Sequence, residues 1–398
     1  MNFDPPTAPE VATKSSPGLW VIAGLLPLMI IVGGGAVSKW KSVQSKGSLP
    51  IPSPAQSTSL SAADLAILLP EIIPPEGLAQ YSDPFQKKEL AKQIRHFLAI
   101  AQIAEREGYG ERPDVRTQME FISDHRLARS YATRHPDKTV SDKEIKAYVA
   151  SHAAEIDAYR AAYQRLKGQI DSAQLDSFKE TYARIKLMAA KARESGAIDK
   201  KTADILSFWG SREVLYQTYV DDMIAKYYEE HKNEYEQVRV RHILVSIVTQ
   251  EEGVKGKRPR SKIEARRRAE ALLARARKGE DFAKLAVQYS DDGSSAQGGD
   301  LGYFSRGVMV VDFEEVAFAL KPGQVSELVQ TPYGFHIMRL EGRRIAPVDD
   351  PMTQQQIQTE LQPKLDRLVE ASDMKVAEDF VFTPKPLPRA QKKRPGKE

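Results

Sequence analysis

The side chains that most readily do covalent or metal chemistry are scarce in this 398-residue chain. Cysteine is absent, which removes thiol nucleophiles, disulfide scaffolds and thiolate metal sites together. The seven histidines are scattered. His96, His125, His135, His152 and His231 show no ligand spacing, so neither a metal site nor a cofactor is expected. His242 and His336 lie in segments that read as strands, where a lone histidine is by itself a core residue. Met309 and Phe313, spaced i, i+4, are by themselves core packing on one helix face. A basic run (Lys255, Lys257, Arg258, Arg260, Lys262, Arg266, Arg267, Arg268) reads as a solvated loop and helix face, with selection of acidic or phosphorylated residues as the alternative. With 58 basic and 54 acidic residues, the net charge of +4 is too balanced for wholesale nucleic-acid binding.

The elements that must position these residues follow an apolar N-terminus. Hydrophobic residues make up 41% of the chain and charged residues 28%, an ordinary globular balance. After a short segment, 1–18, the stretch Leu19 to Val37 carries no charge. At 1.5 Å rise per residue it nearly matches a hydrocarbon core of ~30 Å. Trp20 and Trp40 stand at its ends, where indoles favour the interface. A transmembrane anchor over 19–38 is expected, with a signal peptide cleaved near Ala36-Val37-Ser38 as the alternative. Lys39, Lys41 and Lys46 follow the span and only Lys14 precedes it, which by the positive-inside rule favours a cytoplasmic bulk. Residues 39–60, rich in Ser, Pro and Gly, read as a linker.

Residues 61–235 are read as helical. Leu90, Ile94, Phe97, Ala101 and Ala104 form one apolar stripe of a helix from Phe85, ended by Gly108 and Gly110. Pro113 suits the first position of a second helix, and Ser141 to Glu144 is a capping box opening a third. Ala154 to Ser195 reads as one or two long helices, and Val214 to Glu230 as another. Ile145, Tyr148, His152 and Glu155 recur at Ile224, Tyr227, His231 and Glu234, so residues ~156–220 read as a candidate helical insertion. Character changes at Val238, where Val-Arg-Val-Arg-His-Ile-Leu-Val alternates as a strand. Helices are expected over 263–276, 282–289 and 313–320, and strands over 325–329 and 334–340. A last helix spans Gln354 to Ala371, and the tail 384–398 is basic and Pro-rich.

From Gln237 to Gly342 the chain resembles the parvulin family of peptidyl-prolyl isomerases. The matching pieces stand in order: Arg241-His242-Ile243-Leu244-Val245, Phe282-Ala283, Tyr289-Ser290-Asp291 and Gly298-Gly299-Asp300-Leu301-Gly302-Tyr303-Phe304. Phe313-Glu314, Ala317-Phe318-Ala319-Leu320, Gly323-Gln324-Val325-Ser326 and Thr331-Pro332-Tyr333-Gly334-Phe335-His336-Ile337 complete the set. The resemblance implies an α+β architecture for residues 236–345, a four-stranded antiparallel sheet with helices around it. It also implies rotation about X–Pro bonds, which crosses an uncatalysed barrier of ~18–20 kcal/mol and needs no cofactor or metal.

By that resemblance the proline pocket maps onto Leu301, Met309 and Phe313, and the polar set onto His242, Asp292 and His336. The two histidines are expected to face each other on neighbouring strands as a hydrogen-bond network, not as acid and base. Val308 replaces a glutamine found in some members, and Tyr333 a small hydroxyl residue. An anchor, a helical region, one parvulin domain and a returning helix resemble envelope foldases of the SurA, PrsA and PpiD type. This implies that residues 61–235 and 346–383 join in one chaperone module for unfolded, newly exported chains containing X–Pro bonds. It also places the bulk in the periplasm, tethered to the inner membrane, against the lysine asymmetry. A client-binding chaperone or scaffold with a silent parvulin fold stays open as the alternative.

Overall fold

The computed structural model describes residues 59–167, 170–247 and 260–381. The expected anchor over 19–38, most of the linker, Lys255, Lys257 and Arg258 of the basic run, and the tail 384–398 lie outside these residues. Among the described residues no helix is long and apolar enough to cross a membrane.

In chain order the elements are β1 (Ser59–Leu60), α1 (Ala62–Ile72), α2 (Pro84–Arg106), α3 (Pro113–Arg134), α4 (Asp142–Ser151), α5 (Ala153–Lys167), α6 (Leu175–Ser195) and α7 (Lys200–His231). They continue with β2 (Glu236–Ser246), α8 (Lys262–Arg277), α9 (Phe282–Tyr289), β3 (Asp300–Ser305), α10 (Val311–Ala319), β4 (Val329–Thr331), β5 (Gly334–Ile345), α11 (Pro351–Glu370) and β6 (Lys375–Val376). Contacts divide the chain into two compact units, one running to Met223 and resuming at Glu360, the other Ile224–Thr359.

The first unit is helical and organised around α7. From Trp209 to Tyr216 every residue of α7 is buried, so this helix is surrounded instead of lying on a surface. Gly210 permits the crossing with α3: a Cβ there would stand 3.1 Å from the Ser123 backbone nitrogen. Ser123 Oγ donates to the Ser207 carbonyl at 3.2 Å across the same crossing. Phe97 of α2 packs its ring 4.6 Å from Trp209 and 5.2 Å from Tyr216. One ion pair lies inside this apolar setting. Arg126 of α3 binds Glu213 of α7 through both carboxylate oxygens, and Trp209 Nε1 donates to Glu213 at 3.0 Å. Burial pushes the Glu213 carboxyl up in spite of Arg126. The end of the chain returns to this unit. β6 pairs in parallel with β1, Arg95 donates to the carbonyls of Val369 and Met374 at 3.0 Å each, and Phe380 is fully buried.

The second unit is the expected α+β structure, an antiparallel sheet in the order β3-β2-β5-β4. Both faces are covered. Val238 and Val240 of β2 join Met338, Leu340, Phe304, Phe313 and Phe318 in one core. Ile243 and Val245 point the other way, into a core with Ala265, Leu272, Phe282, Leu285 and Ile337. The two-residue strand period assigns His242 to the first face.

Several expectations change. The strand expected over 325–329 is instead Val329–Thr331, with Val325 making only an isolated bridge to Arg339. The reason is Ser326: its hydroxyl takes the Met338 N–H at 3.0 Å, displacing a backbone carbonyl from the ladder. The helix expected from Val214 begins at Lys200, because Asp199 caps it by accepting the Thr202 N–H at 2.9 Å. The repeated pattern is real in geometry. Tyr148 and His152 stack at 3.8 Å, Tyr227 and His231 at 4.0 Å, and each histidine Nδ1 meets its tyrosine carbonyl, at 3.1 and 2.9 Å. Residues 156–220 contain the buried centre of α7.

Replacing Glu213 by leucine strands a buried guanidinium. Glu213→Leu is expected to destabilise the helical unit by ~3–5 kcal/mol, whereas Arg126→Met with Glu213→Leu restores most of it. Urea unfolding followed by circular dichroism measures both; equal loss in the single and double variants contradicts this account of the pair.

Candidate active site

The register of β2 against β5 brings the two strand histidines together. His242 is paired with Met338 and Leu244 with His336, so the imidazoles sit diagonally on one face. Their Nδ1 atoms are 3.3 Å apart, and the rings are nearly parallel, at 16°, with centroids 5.5 Å apart. Both side chains are buried. Beyond His336, Thr331 of β4 places its Oγ1 2.7 Å from His336 Nε2 and accepts the Tyr333 N–H at 3.2 Å.

Asp292 arrives from a loop tied to β2 just before it. The Asp291 N–H donates to the Leu244 carbonyl at 2.8 Å, Ser290 Oγ accepts the Leu244 N–H at 3.1 Å, and Asp291 Oδ2 accepts the Ser246 N–H at 3.0 Å. Arg260 pairs with the same Asp291 oxygen and donates to the Ser246 carbonyl at 3.1 Å. Asp292 Oδ1 then lies 3.0 Å from His242 Nε2, an ion-pair distance, though off the N–H axis, so that nitrogen has no aligned hydrogen-bond partner. Asp292 also accepts from the Ser294 N–H at 2.8 Å. Close approach continues at Gly299, whose carbonyl accepts the His242 N–H at 2.8 Å. A Cβ at Gly299 would fall 2.1 Å from the His242 oxygen, so only glycine fits between β3 and β2 here.

Both Asp292 and His336 are moved from their ordinary titration ranges. His242, more than Ser294, holds the Asp292 carboxyl well below the usual range, against the effect of burial. A carboxylate facing Nε2 favours a proton on that nitrogen. The Nδ1–Nδ1 contact and the contact of His336 Nε2 with Thr331 each take one shared proton. Burial, and then the neighbouring His242, push the His336 imidazole down to about 4.

An apolar wall stands against these rings. Phe313 meets both edge-on, its centroid 5.6 Å from His242 and 5.3 Å from His336, at 84° and 81°. Leu301 and Met309, half-buried, pack on the same core as Phe313. The six residues singled out in the sequence thus gather on one face of the sheet. Two depressions, about 470 Å³ beside Phe282 and Arg339 and about 510 Å³ beside Ala283 and Val287, contain none of them. Thr331 is the member that the sequence reading passed over. The signal was a hydroxyl residue before the tight Pro332-Tyr333 turn, in register to reach His336.

A neutral imidazole in the fold and a protonated one in the unfolded chain make stability depend on pH. The unfolded chain takes up the additional proton as pH falls below the ordinary histidine value of 6.5, and the fold does so only near 4. The contribution of His336 is therefore complete above pH 6.5 and is lost progressively down to about 4. Nitrogen-15 chemical shifts of His336 in the full chain should show a neutral ring at pH 5.5; a charged ring at that pH contradicts the assignment.

Parts of the chain are similar to known proteins. A family model described as the PPIC-type PPIASE domain matches residues 223–344. The chain is 39% identical over 173 residues to the "Foldase protein PrsA" of Caldanaerobacter subterraneus subsp. tengcongensis, covering 43% of this chain and 48% of that one. It is 42% identical over 117 residues to the "Chaperone SurA" of Aromatoleum aromaticum, covering 29% and 24%. Among solved structures, the peptidyl-prolyl isomerase ESS1 from Candida albicans is 32% identical, covers 32% of this chain and 76% of its own, and has a TM-score of 0.25. The chain spans about half the length, or less, of these curated relatives. Residues 223–344 are therefore a parvulin domain of the PPIC type, in a chain whose relatives are named foldases and chaperones.

Proposed function

We propose that this protein is a peptidyl-prolyl cis–trans isomerase that assists the folding of polypeptides containing X–Pro bonds, with the helical unit holding those clients loosely. The observation that carries the reading is Phe313 standing edge-on to two buried imidazoles, with Leu301 and Met309 on the same core. In this reading the three apolar residues seat the proline ring. His242, Asp292 and His336 shape and polarise the wall beside it, and none acts as acid or base.

The chemistry asks for little more. A planar amide is stabilised by resonance that places negative charge on its oxygen, and twisting removes that stabilisation. A dry apolar wall offers the planar form less than water does, and so favours the twisted form relatively. Lowering the barrier by ~5 kcal/mol accelerates rotation several thousandfold.

In the same reading, residues 236–345 form the isomerase domain, and residues 61–235 with 346–383 form the client-binding module. The burial of Phe380 and the pairing of β6 with β1 support the return of the C-terminal segment to the helical region. The apolar stretch 19–38 and the likeness to envelope foldases support a single-pass inner-membrane anchor with the bulk in the periplasm.

A coupled assay on a short X-Pro peptide tests the activity. The wild type should accelerate isomerisation, and Phe313→Ala and Asp292→Ala should each lower kcat/KM by about tenfold or more, ~1.4 kcal/mol of transition-state stabilisation. A folded wild type with no acceleration leaves client binding without catalysis. Added protease should degrade the C-terminal region in spheroplasts and not in intact cells; protection in spheroplasts places it in the cytoplasm.

A further inference from the structure

Two of the three apolar residues of the proposed pocket sit on the connection between β3 and α10, Met309 in the loop and Phe313 in the first turn of the helix. That connection has little to hold it by burial. Val308, Val310 and Val311 are 44%, 37% and 69% exposed. Nor is the helix start fixed by a side chain, because its cap residue is Val310, which forms no side-chain capping bond. Arg306 rests its guanidinium 4.1 Å from the centre of the Phe318 ring, which anchors only the entry.

One side chain closes the segment. Glu314, half-buried on α10, reaches back beyond the helix start, and its Oε2 accepts the Gly307 N–H at 2.6 Å. A carboxylate bound to a backbone N–H is among the stronger hydrogen bonds, and its charge suits the first turns of a helix. The Val310 carbonyl accepts the Phe313 and Glu314 N–H groups, both at 3.0 Å. The result is a closed ring from Gly307 to Glu314 with Met309 and Phe313 inside it.

We propose that Glu314 is a positioning residue for the proline pocket: by clamping Gly307 it fixes Met309 against Phe313 on an otherwise exposed loop. This rests on the isomerase reading for its consequence in activity, but not for its consequence in structure. Supporting residues of this kind hold a binding group in its productive place, and a shift of about 1 Å is enough to impair it.

The test uses the full chain and three variants. In Glu314→Ala the Gly307 amide should exchange faster with solvent and the Met309 methyl resonance should move. KM for the peptide should rise about fivefold or more, with kcat within about twofold and an unchanged unfolding midpoint. Glu314→Gln keeps an acceptor oxygen and should restore most of the KM. Glu315→Ala removes a neighbouring exposed charge and should change nothing. The proposal is overturned if Glu314→Ala leaves the Gly307 amide and the Met309 methyl as in the wild type, if Glu314→Gln is as impaired as the alanine variant, or if KM rises only together with a fall in the unfolding midpoint. A wild type without isomerase activity defeats the functional reading instead, and the two resonance measurements still decide the clamp.

Discussion

Two imidazoles are held Nδ1 to Nδ1 at 3.3 Å inside a sheet, and that contact requires one proton shared between the two nitrogens. Two cations at that separation in a buried place would repel strongly, and two lone pairs or two protons would not bond. The Asp292 carboxylate faces one end of the pair and the Thr331 hydroxyl the other. The neighbouring structure serves this arrangement. The bonds from Ser290 and Asp291 to β2 deliver Asp292, the hairpin of β4 and β5 delivers Thr331, and Gly299 lets β3 approach the His242 backbone.

Burial moves the His336 imidazole well below its ordinary range, and Phe313 stands edge-on to both rings. The helical unit solves a different problem. Its centre, α7, is enclosed on all sides, and the polar atoms carried inward by Arg126, Glu213 and Trp209 satisfy one another there. Such a pair contributes little net stability compared with apolar packing, yet it tolerates no loss of one partner.

Much of the second unit was legible from the chain. Alternation from Val238, the Phe282–Tyr289 helix and the ordered run of parvulin-like pieces led to the observed sheet and to six residues on one face of it. Where the reading strayed, a side chain had taken over a backbone role. Ser326 replaced a ladder carbonyl and moved β4, and Asp199 capped α7 far ahead of its most apolar stretch. Thr331 escaped notice because a hydroxyl in a turn has many local uses. Only the fold shows that this one points at an imidazole.

The sequence by itself determined the periodicities, the caps and the residue types: two strand histidines, an aspartate in a Ser- and Gly-rich loop, apolar residues at i and i+4, and no thiol. These are local properties, set by spacing along the chain and by backbone preference. Tertiary structure alone decided which ring nitrogen faces which, that the Asp292 carboxylate approaches without aligning, and that Glu314 reaches back to the Gly307 N–H. Tertiary structure also decided that the repeated Tyr and His pattern flanks the buried centre of α7. Each depends on a distance between segments far apart in sequence or on the three-dimensional path of a loop. Strand register and close packing fix such distances, and local composition does not.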